Sequence, residues 1–236
     1  MRCILLLMAC LLGVARSAEL VVMVDSTANM PMARVEDGRL VDGVHKDIGE
    51  ILARHMGRRA RFVMLPRKRL ERALQNGEAD LLCAYMPEWL GGDYLWSRVV
   101  FTTEEVLVTD ASVPPVRALG ELRGRPVGTI LGYFHPEMEA LLGKDFVRDN
   151  APNMESNMAK LGHGRVHHIL ITRVVLDYYQ RLRQPPLLIH PPLPVMSFAT
   201  RCAVSRKGHV ALREIDQAIG RAARDGSLAA MLTRFR

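Results

Sequence analysis

The residues best suited to hold a small molecule are one arginine and a group of aromatics at predicted strand ends. Arg67 follows a strand and Pro66, at the start of a helical stretch. From there its guanidinium either takes an anion through a bidentate contact or stands as a solvated helix-start arginine. Tyr85, Trp89, Tyr94, Trp96, Tyr133 and Phe134 fall on predicted loops or strand ends, and aromatic floors suit flat or apolar-bodied ligands. Tyr94 and Trp96 read better as core anchors. Tyr133 and Phe134 follow Gly132 at a strand end, which points them toward a site. His163, His167 and His168 do not make a metal centre. Gly162 and Gly164 interrupt any helix between the first two, and His167 and His168 would point to opposite sides of a strand. No Cys-x-x-Cys, phosphate-loop glycine pattern or Gly-x-Ser-x-Gly occurs, and no cofactor is expected.

The chain that must position these residues has 236 amino acids, enough for one large domain or two small lobes. Its 49% hydrophobic and 24% charged content excludes a disordered chain. No internal apolar run approaches the roughly 18 residues needed to span a bilayer. The net charge of +7 is modest and is not the dense basic stripe of a nucleic-acid binder. Met1-Arg2, the apolar run Ile4 to Leu12, Gly13 and the small residues of Ala15-Arg16-Ser17-Ala18 have the order of a secretory signal peptide. Residues 1–18 are therefore expected to be removed, with cleavage after Ser17 or Ala18. Lipidation at Cys10 is a weaker alternative. The mature chain would be exported, with a net charge of +5 and two cysteines, Cys83 and Cys202. Both lie in apolar, strand-like runs. They are expected to be buried free thiols rather than a disulfide, because cysteines on neighbouring strands often have poor bridging geometry.

Strand and helix alternate along the sequence. Leu20 to Val24 reads as a buried parallel strand, Asp47 to Met56 as a helix stopped by Gly57, and Arg61 to Leu65 as a strand ended by Pro66. Arg69 to Asn76 reads as a helix and Asp80 to Tyr85 as a third strand. Glu36-Asp37-Gly38-Arg39 forms a turn. After a strand over Glu105 to Thr109, a second β-α series begins with Arg125 to Leu131. It continues through helices at Glu137 to Leu142 and Met154 to Leu161, a strand at Val166 to Thr172 and a helix at Val174 to Leu182. Pro185 to Pro194 reads as an extended surface segment, Thr200 to Ser205 as a returning strand, and two helices close the chain. The fold class is α/β, with right-handed crossovers and two similar lobes joined by crossing strands.

Several stretches resemble bacterial extracellular solute-binding proteins of family 3. Glu36 to Gly43 followed by Asp47-Ile48 resembles that family's D-G-x-L-x-G-x-x-x-D segment. Leu65 to Leu70 with Ala73 to Asp80 is similar to P-W-x-R-x-x-x-A-L-x-x-G-x-x-D. Leu119 to Gly128 is similar to L-x-x-L-x-G-x-x-V-G, Leu161 to Val166 to L-x-x-G-R-V-D, and Ala222 to Leu228 to A-D-G-x-L-x-x-I. Together these cover about residues 19–236.

The resemblance implies a two-lobed periplasmic-binding-protein-like fold of type II with a hinge of two crossing strands. Lobe 1 would comprise residues 19–107 plus 198–236, and lobe 2 residues 108–197. It implies a monomeric, periplasmic protein that captures a small-molecule ligand by hinge closure and presents it to an ABC permease or a membrane sensor. Matching positions place Asn29, Arg67, Tyr85 and Trp89 in the first lobe's share of the cleft, and Gly132, Tyr133, Phe134 and Thr172 in the second lobe's share. Backbone N–H groups of Gly132 to Phe134, near a helix start, would take a carboxylate. Thr172 stands where amino-acid binders carry an Asp for the α-ammonium. Trp89-Leu90-Gly91-Gly92 stands where they carry the Arg for the α-carboxylate. Both anchors for a zwitterion are missing, so the divergence points to a different polar or anionic solute. Binding without chemistry is the expectation. Some secreted dehydratases resemble the same fold, and Glu88 and His135 are the candidates for that alternative.

Overall fold

A computed structural model describes residues 18–182 and 185–235; of the expected signal segment, residues 1–18, all but Ala18 lie outside the described residues. The chain opens with β1 (Glu19–Asp25) and a hairpin of β2 (Arg34–Glu36) and β3 (Arg39–Asp42). Next come α1 (Val44–His55), β4 (Arg59–Leu65), α2 (Arg67–Asn76), β5 (Leu81–Tyr85), β6 (Leu95–Trp96) and β7 (Phe101–Thr109). The second series is β8 (Pro126–Ile130), α3 (Pro136–Leu142), β9 (Val147–Ala151), α4 (Met154–Gly162), β10 (His168–Thr172) and α5 (Arg173–Leu182). The chain returns along β11 (Leu193–Val204) and ends in α6 (Leu212–Arg224) and α7 (Ser227–Phe235).

Eight strands run in the order β4-β1-β5-β11-β7-β10-β8-β9, with β6 pairing onto β11. β1 pairs in parallel with β4 and β5, and β8 pairs in parallel with β9 and β10. Between these parallel halves lies an antiparallel pair, β7 and β11, paired from Leu193 opposite Leu107 to Thr200 opposite Phe101 with one register shift after Pro194. The last residues of β11, Arg201 to Val204, pair instead with β5. One strand thus belongs to both halves, and the fold is two-lobed.

Burial explains the strand and helix choices. β1 is buried from Leu20 to Asp25 and β5 throughout, as parallel strands covered on both faces must be. Each fully buried Leu or Val there contributes about 1.5–3 kcal/mol of transfer free energy. In α1, Val44, Ile48, Ile51 and Leu52 fall at helical spacing and face the sheet. The turn at Asp37-Gly38 closes the β2–β3 hairpin with both residues in the left-handed region. β9 escapes the pattern because it is a polar edge strand, Val147-Arg148-Asp149-Asn150-Ala151, with only Ala151 buried. β7 and β11 are both longer than their apolar cores imply. β11 begins inside the proline-rich run at Leu193, and a register shift beside Pro194 accommodates the residue that cannot donate to the ladder.

The free-thiol expectation is overturned. Cys83 and Cys202 form a disulfide across β5 and β11, with their Cα atoms 3.9 Å apart. A ladder irregularity between Arg201 and Cys202, together with Ala84 at φ 63°, sets the two cysteines directly opposite each other. Apolar strand-like runs could place both residues in the core; only the pairing register could make them partners. The bridge spans a sequence separation of 119 residues. A cross-link of that span contributes roughly 2–4 kcal/mol by constraining the unfolded chain. We expect the Cys83→Ala/Cys202→Ala variant, and the wild type under reductant, to melt roughly 5–15 °C lower in a thermal denaturation scan. An unchanged melting temperature in both would show that the bridge does not constrain the chain.

Candidate functional site

The strand ends that face each other across the two lobes bring together Arg67, Tyr85 and Tyr133. Arg67 is the first residue of α2, directly after Pro66. A cation at a helix N-terminus opposes the helix dipole, so its position needs a counter-charge. Asp25, at the end of β1, supplies it: Arg67 Nη1 lies 3.9 Å from Asp25 Oδ2. Asp25 is nearly buried, and its Oδ1 accepts hydrogen bonds from Thr27 N at 2.9 Å and Thr27 Oγ1 at 2.7 Å. Arg67 Nη1 also donates to Tyr85 Oη at 3.2 Å. Its Cζ stands 5.6 Å from the Tyr85 ring centroid and 5.1 Å from that of Tyr133. The guanidinium is therefore flanked by one ring from each lobe, a favourable cation–π arrangement. Its side chain stays 26% exposed, which leaves donors free for an anionic group. Burial pushes the Tyr85 phenol well above its ordinary pKa against the opposing pull of Arg67, so Tyr85 is neutral and accepts from Arg67.

The loop that carries Tyr133 is braced from behind. Arg148, on β9, donates from Nη2 to the carbonyls of Ile130 at 3.2 Å and Tyr133 at 2.9 Å. Gly132 makes the turn with φ +81°. The amide of Tyr133 donates to Ile130 O at 3.0 Å, and α3 starts at Pro136, which has no N–H. The Tyr133 N–H is thus spent within its own turn and does not extend the expected backbone array for a carboxylate. Phe134 is 48% exposed beside it.

The remaining expected residues lie around this cluster rather than in it. Trp89 packs edge-on against Tyr85, with centroids 6.4 Å apart, and against Phe198 of β11, 4.8 Å apart. It ties the β5 end to the crossing strand. Asn29 borders a separate groove of about 640 Å³, with Met30, Arg34, Glu155, Tyr178 and Tyr179. Its buried Oδ1 has no partner among the described residues. Thr172 ends β10 opposite Glu105. That neighbouring carboxylate is taken, because Glu105 Oε1 lies 2.8 Å from Nδ1 of the buried His135. Glu104 is likewise paired with Arg173 at 2.9 Å. Of the two acid–base candidates, His135 is buried with Nε2 unpartnered, whereas Glu88 is exposed in a 3-10 turn, Pro87–Trp89. Tyr94 is a core anchor as expected: it is buried, with Oη 2.8 Å from Gly91 O. Among the described residues no group of three His, Cys, Asp or Glu side chains is placed to hold a metal ion, and no helix is long and apolar enough to cross a membrane.

Two residues that organise the site were not expected from sequence. Asp25 had the signal of an acid at a strand's C-terminal end followed by Ser26-Thr27. Arg148 had none, since β9 itself was not legible.

No family model matches the chain, and no curated protein matches it in sequence. Solved structures do. An ancestral arginine-binding protein bound to arginine superposes with a TM-score of 0.75 at 20% identity, covering 93% of this chain and 99% of its own. The ligand-binding core of GluR0 in complex with L-glutamate gives 0.76 at 16% identity, covering 94% and 99%. The ancestral amino-acid-binding protein AncCDT-1, a precursor of cyclohexadienyl dehydratase, gives 0.75 at 16%, covering 92% and 95%. The fold is that of the two-lobed periplasmic binding proteins. The match runs over nearly the whole of each chain, so the shared architecture includes the crossing strands and both sets of strand ends that face the cleft.

Behind Asp25 lies His45, in the first turn of α1. Burial lowers its pKa to about 4, with the Asp25 charge pulling the other way. In the unfolded chain the imidazole titrates near its ordinary 6.5. The stability that depends on neutral His45 is therefore complete above pH 6.5 and is lost as pH falls toward 4, by ~3 kcal/mol. Denaturant unfolding at stepped pH values should show this loss in the wild type and a flatter slope in His45→Leu. Equal slopes would assign the acid sensitivity to other groups.

Proposed function

We propose that this chain is an exported solute-binding protein that captures a small polar or anionic solute between its lobes. The observation that carries the reading is the Arg67 guanidinium of the first lobe lying 5.1 Å from the Tyr133 ring of the second. A ligand carrying a carboxylate or another anion would meet Arg67 between the two rings and add contacts to both lobes. Differential binding to the closed form is what shifts a hinge equilibrium. The lobes would be residues 19–107 plus 198–236 and residues 108–197, meeting within β7 and β11. Asn29, Arg67, Tyr85 and Trp89 would contact the solute from one side, and Gly132, Tyr133, Phe134 and Thr172 from the other. Thr172 is neutral and Glu104 and Glu105 are already paired, so none of these three offers a free acid to an α-ammonium. A small carboxylate therefore fits better than a zwitterionic amino acid. The protein would work as a periplasmic monomer, delivering its ligand to an ABC permease or a membrane sensor.

A second reading, a dehydratase-like enzyme, draws on the part-buried Glu105–His135 pair. That His–carboxylate arrangement orients an imidazole for proton transfer. It also draws on AncCDT-1, described as a precursor of cyclohexadienyl dehydratase.

The deciding experiment is a thermal-shift screen of residues 19–236 against small carboxylates, amino acids, polyamines and aromatic acids, with turnover followed in the same samples. A ligand at about 100 times its dissociation constant adds ~2.7 kcal/mol, or roughly 5–10 °C for a chain of this size. We expect the small carboxylates to give that shift without turnover, and Arg67→Gln to abolish most of it. Turnover of a shifting ligand would favour the enzyme. A shift undiminished in Arg67→Gln would remove Arg67 from the site.

A further inference from the structure

The outer face of α6 carries a concentration of positive charge that the cleft does not use. Arg98, Arg213, Arg221 and Arg224 line a groove of about 430 Å³, in company with a single carboxylate, Asp216. Asp216 is already engaged, its Oδ1 accepting the Arg98 backbone N–H at 2.7 Å. Arg221 donates from Nη2 to His55 O at 2.7 Å. The side chains of Arg98, Arg213 and Arg224 have no hydrogen bond or ion pair among the described residues.

Gly220 leaves room for this arrangement. It sits inside α6 between Ala218 and Ala222, where alanine would stabilise the helix by ~1 kcal/mol. A Cβ there would come within 2.7 Å of Arg98 Nη1 and 3.5 Å of Arg224 Nη1. The missing methyl lets Arg98 lie flat on the helix and brings two guanidinium groups to the same point. Four arginines against the one carboxylate of Asp216 leave an excess of like charges that repel, and an oxyanion between them reverses the sign of that interaction. Planar guanidinium forks match the tetrahedral oxygens of a phosphate in geometry and charge.

We propose that this groove binds a phosphate-class oxyanion, either a free phosphate or the phosphodiester of an anionic lipid headgroup. None of its residues belongs to the Arg67 cluster, so the site is separate from the solute cleft and does not depend on the reading given above.

The test titrates the full mature chain at low salt with inorganic phosphate by calorimetry, and with phosphatidylglycerol or phosphatidylcholine vesicles by co-sedimentation. Phosphate binding in solution assigns the free anion. Binding to phosphatidylglycerol vesicles without phosphate binding assigns the headgroup. In either case Arg98→Gln/Arg224→Gln should weaken binding about tenfold or more, and Arg67→Gln should leave it unchanged. Gly220→Ala should melt at or above the wild-type temperature and yet lose affinity, because the methyl displaces Arg98 while improving the helix. If that variant fails to fold, the double arginine variant decides alone. Absence of binding to both probes, equal binding to phosphatidylcholine, or affinity undiminished in the double arginine variant would overturn the proposal.

Discussion

The structure depends on one strand having two sets of partners. β11 pairs along most of its length with β7 and then, from Arg201, with β5. Here the two parallel series, β4-β1-β5 and β10-β8-β9, are joined in the sheet by this antiparallel pair. The crossing pair supplies continuous backbone hydrogen bonds between the halves, and side chains reinforce it at the point of transfer. Cys202 is bonded to Cys83, and Phe198 seats Trp89. Everything at the cleft is placed relative to this pair, since β5 ends in Tyr85 and β7 carries Glu104 and Glu105.

Charge at the cleft is arranged with little surplus. Arg67 occupies a helix start that disfavours it, and it is held there by Asp25, by the Tyr85 hydroxyl and by two aromatic faces. The acids of β7 are spent on His135 and Arg173. What the part-exposed Arg67 retains is hydrogen-bond donor capacity rather than uncompensated charge, since Asp25 balances it. Arg148 extends the logic to the second lobe: by gripping the carbonyls of Ile130 and Tyr133, it converts a glycine-containing turn into a fixed wall. Both lobes thus present pre-set surfaces at these strand ends.

Much of this was readable from residues alone. The apolar runs of β1, β5 and β10 and the helical spacing in α1 and α4 matched their observed elements to within a few residues, because buried faces impose a period. The turn at Asp37-Gly38 and the anchoring role of Tyr94 were also legible. β9 was not, because an edge strand has one paired side and little apolar demand. The start of β11 was hidden by prolines that a register shift tolerates. Arg67 contacts both Tyr85 and Tyr133. Asn29 and Trp89 lie beside that cluster, in a separate groove and against the crossing strand.

By itself the sequence determined the local elements, the two-part α/β alternation and the residue types at the strand ends, all of which follow from periodicity and turn chemistry within short windows. Tertiary structure decided the rest. Which strand face meets which, whether Cys83 meets Cys202, and which acid neutralises Arg67 depend on register between segments 40 to 120 residues apart. A shift of one residue in a strand reverses every side chain it carries. No local signal encodes that register, because it is set only when the two halves pack and the crossing strands find their partners.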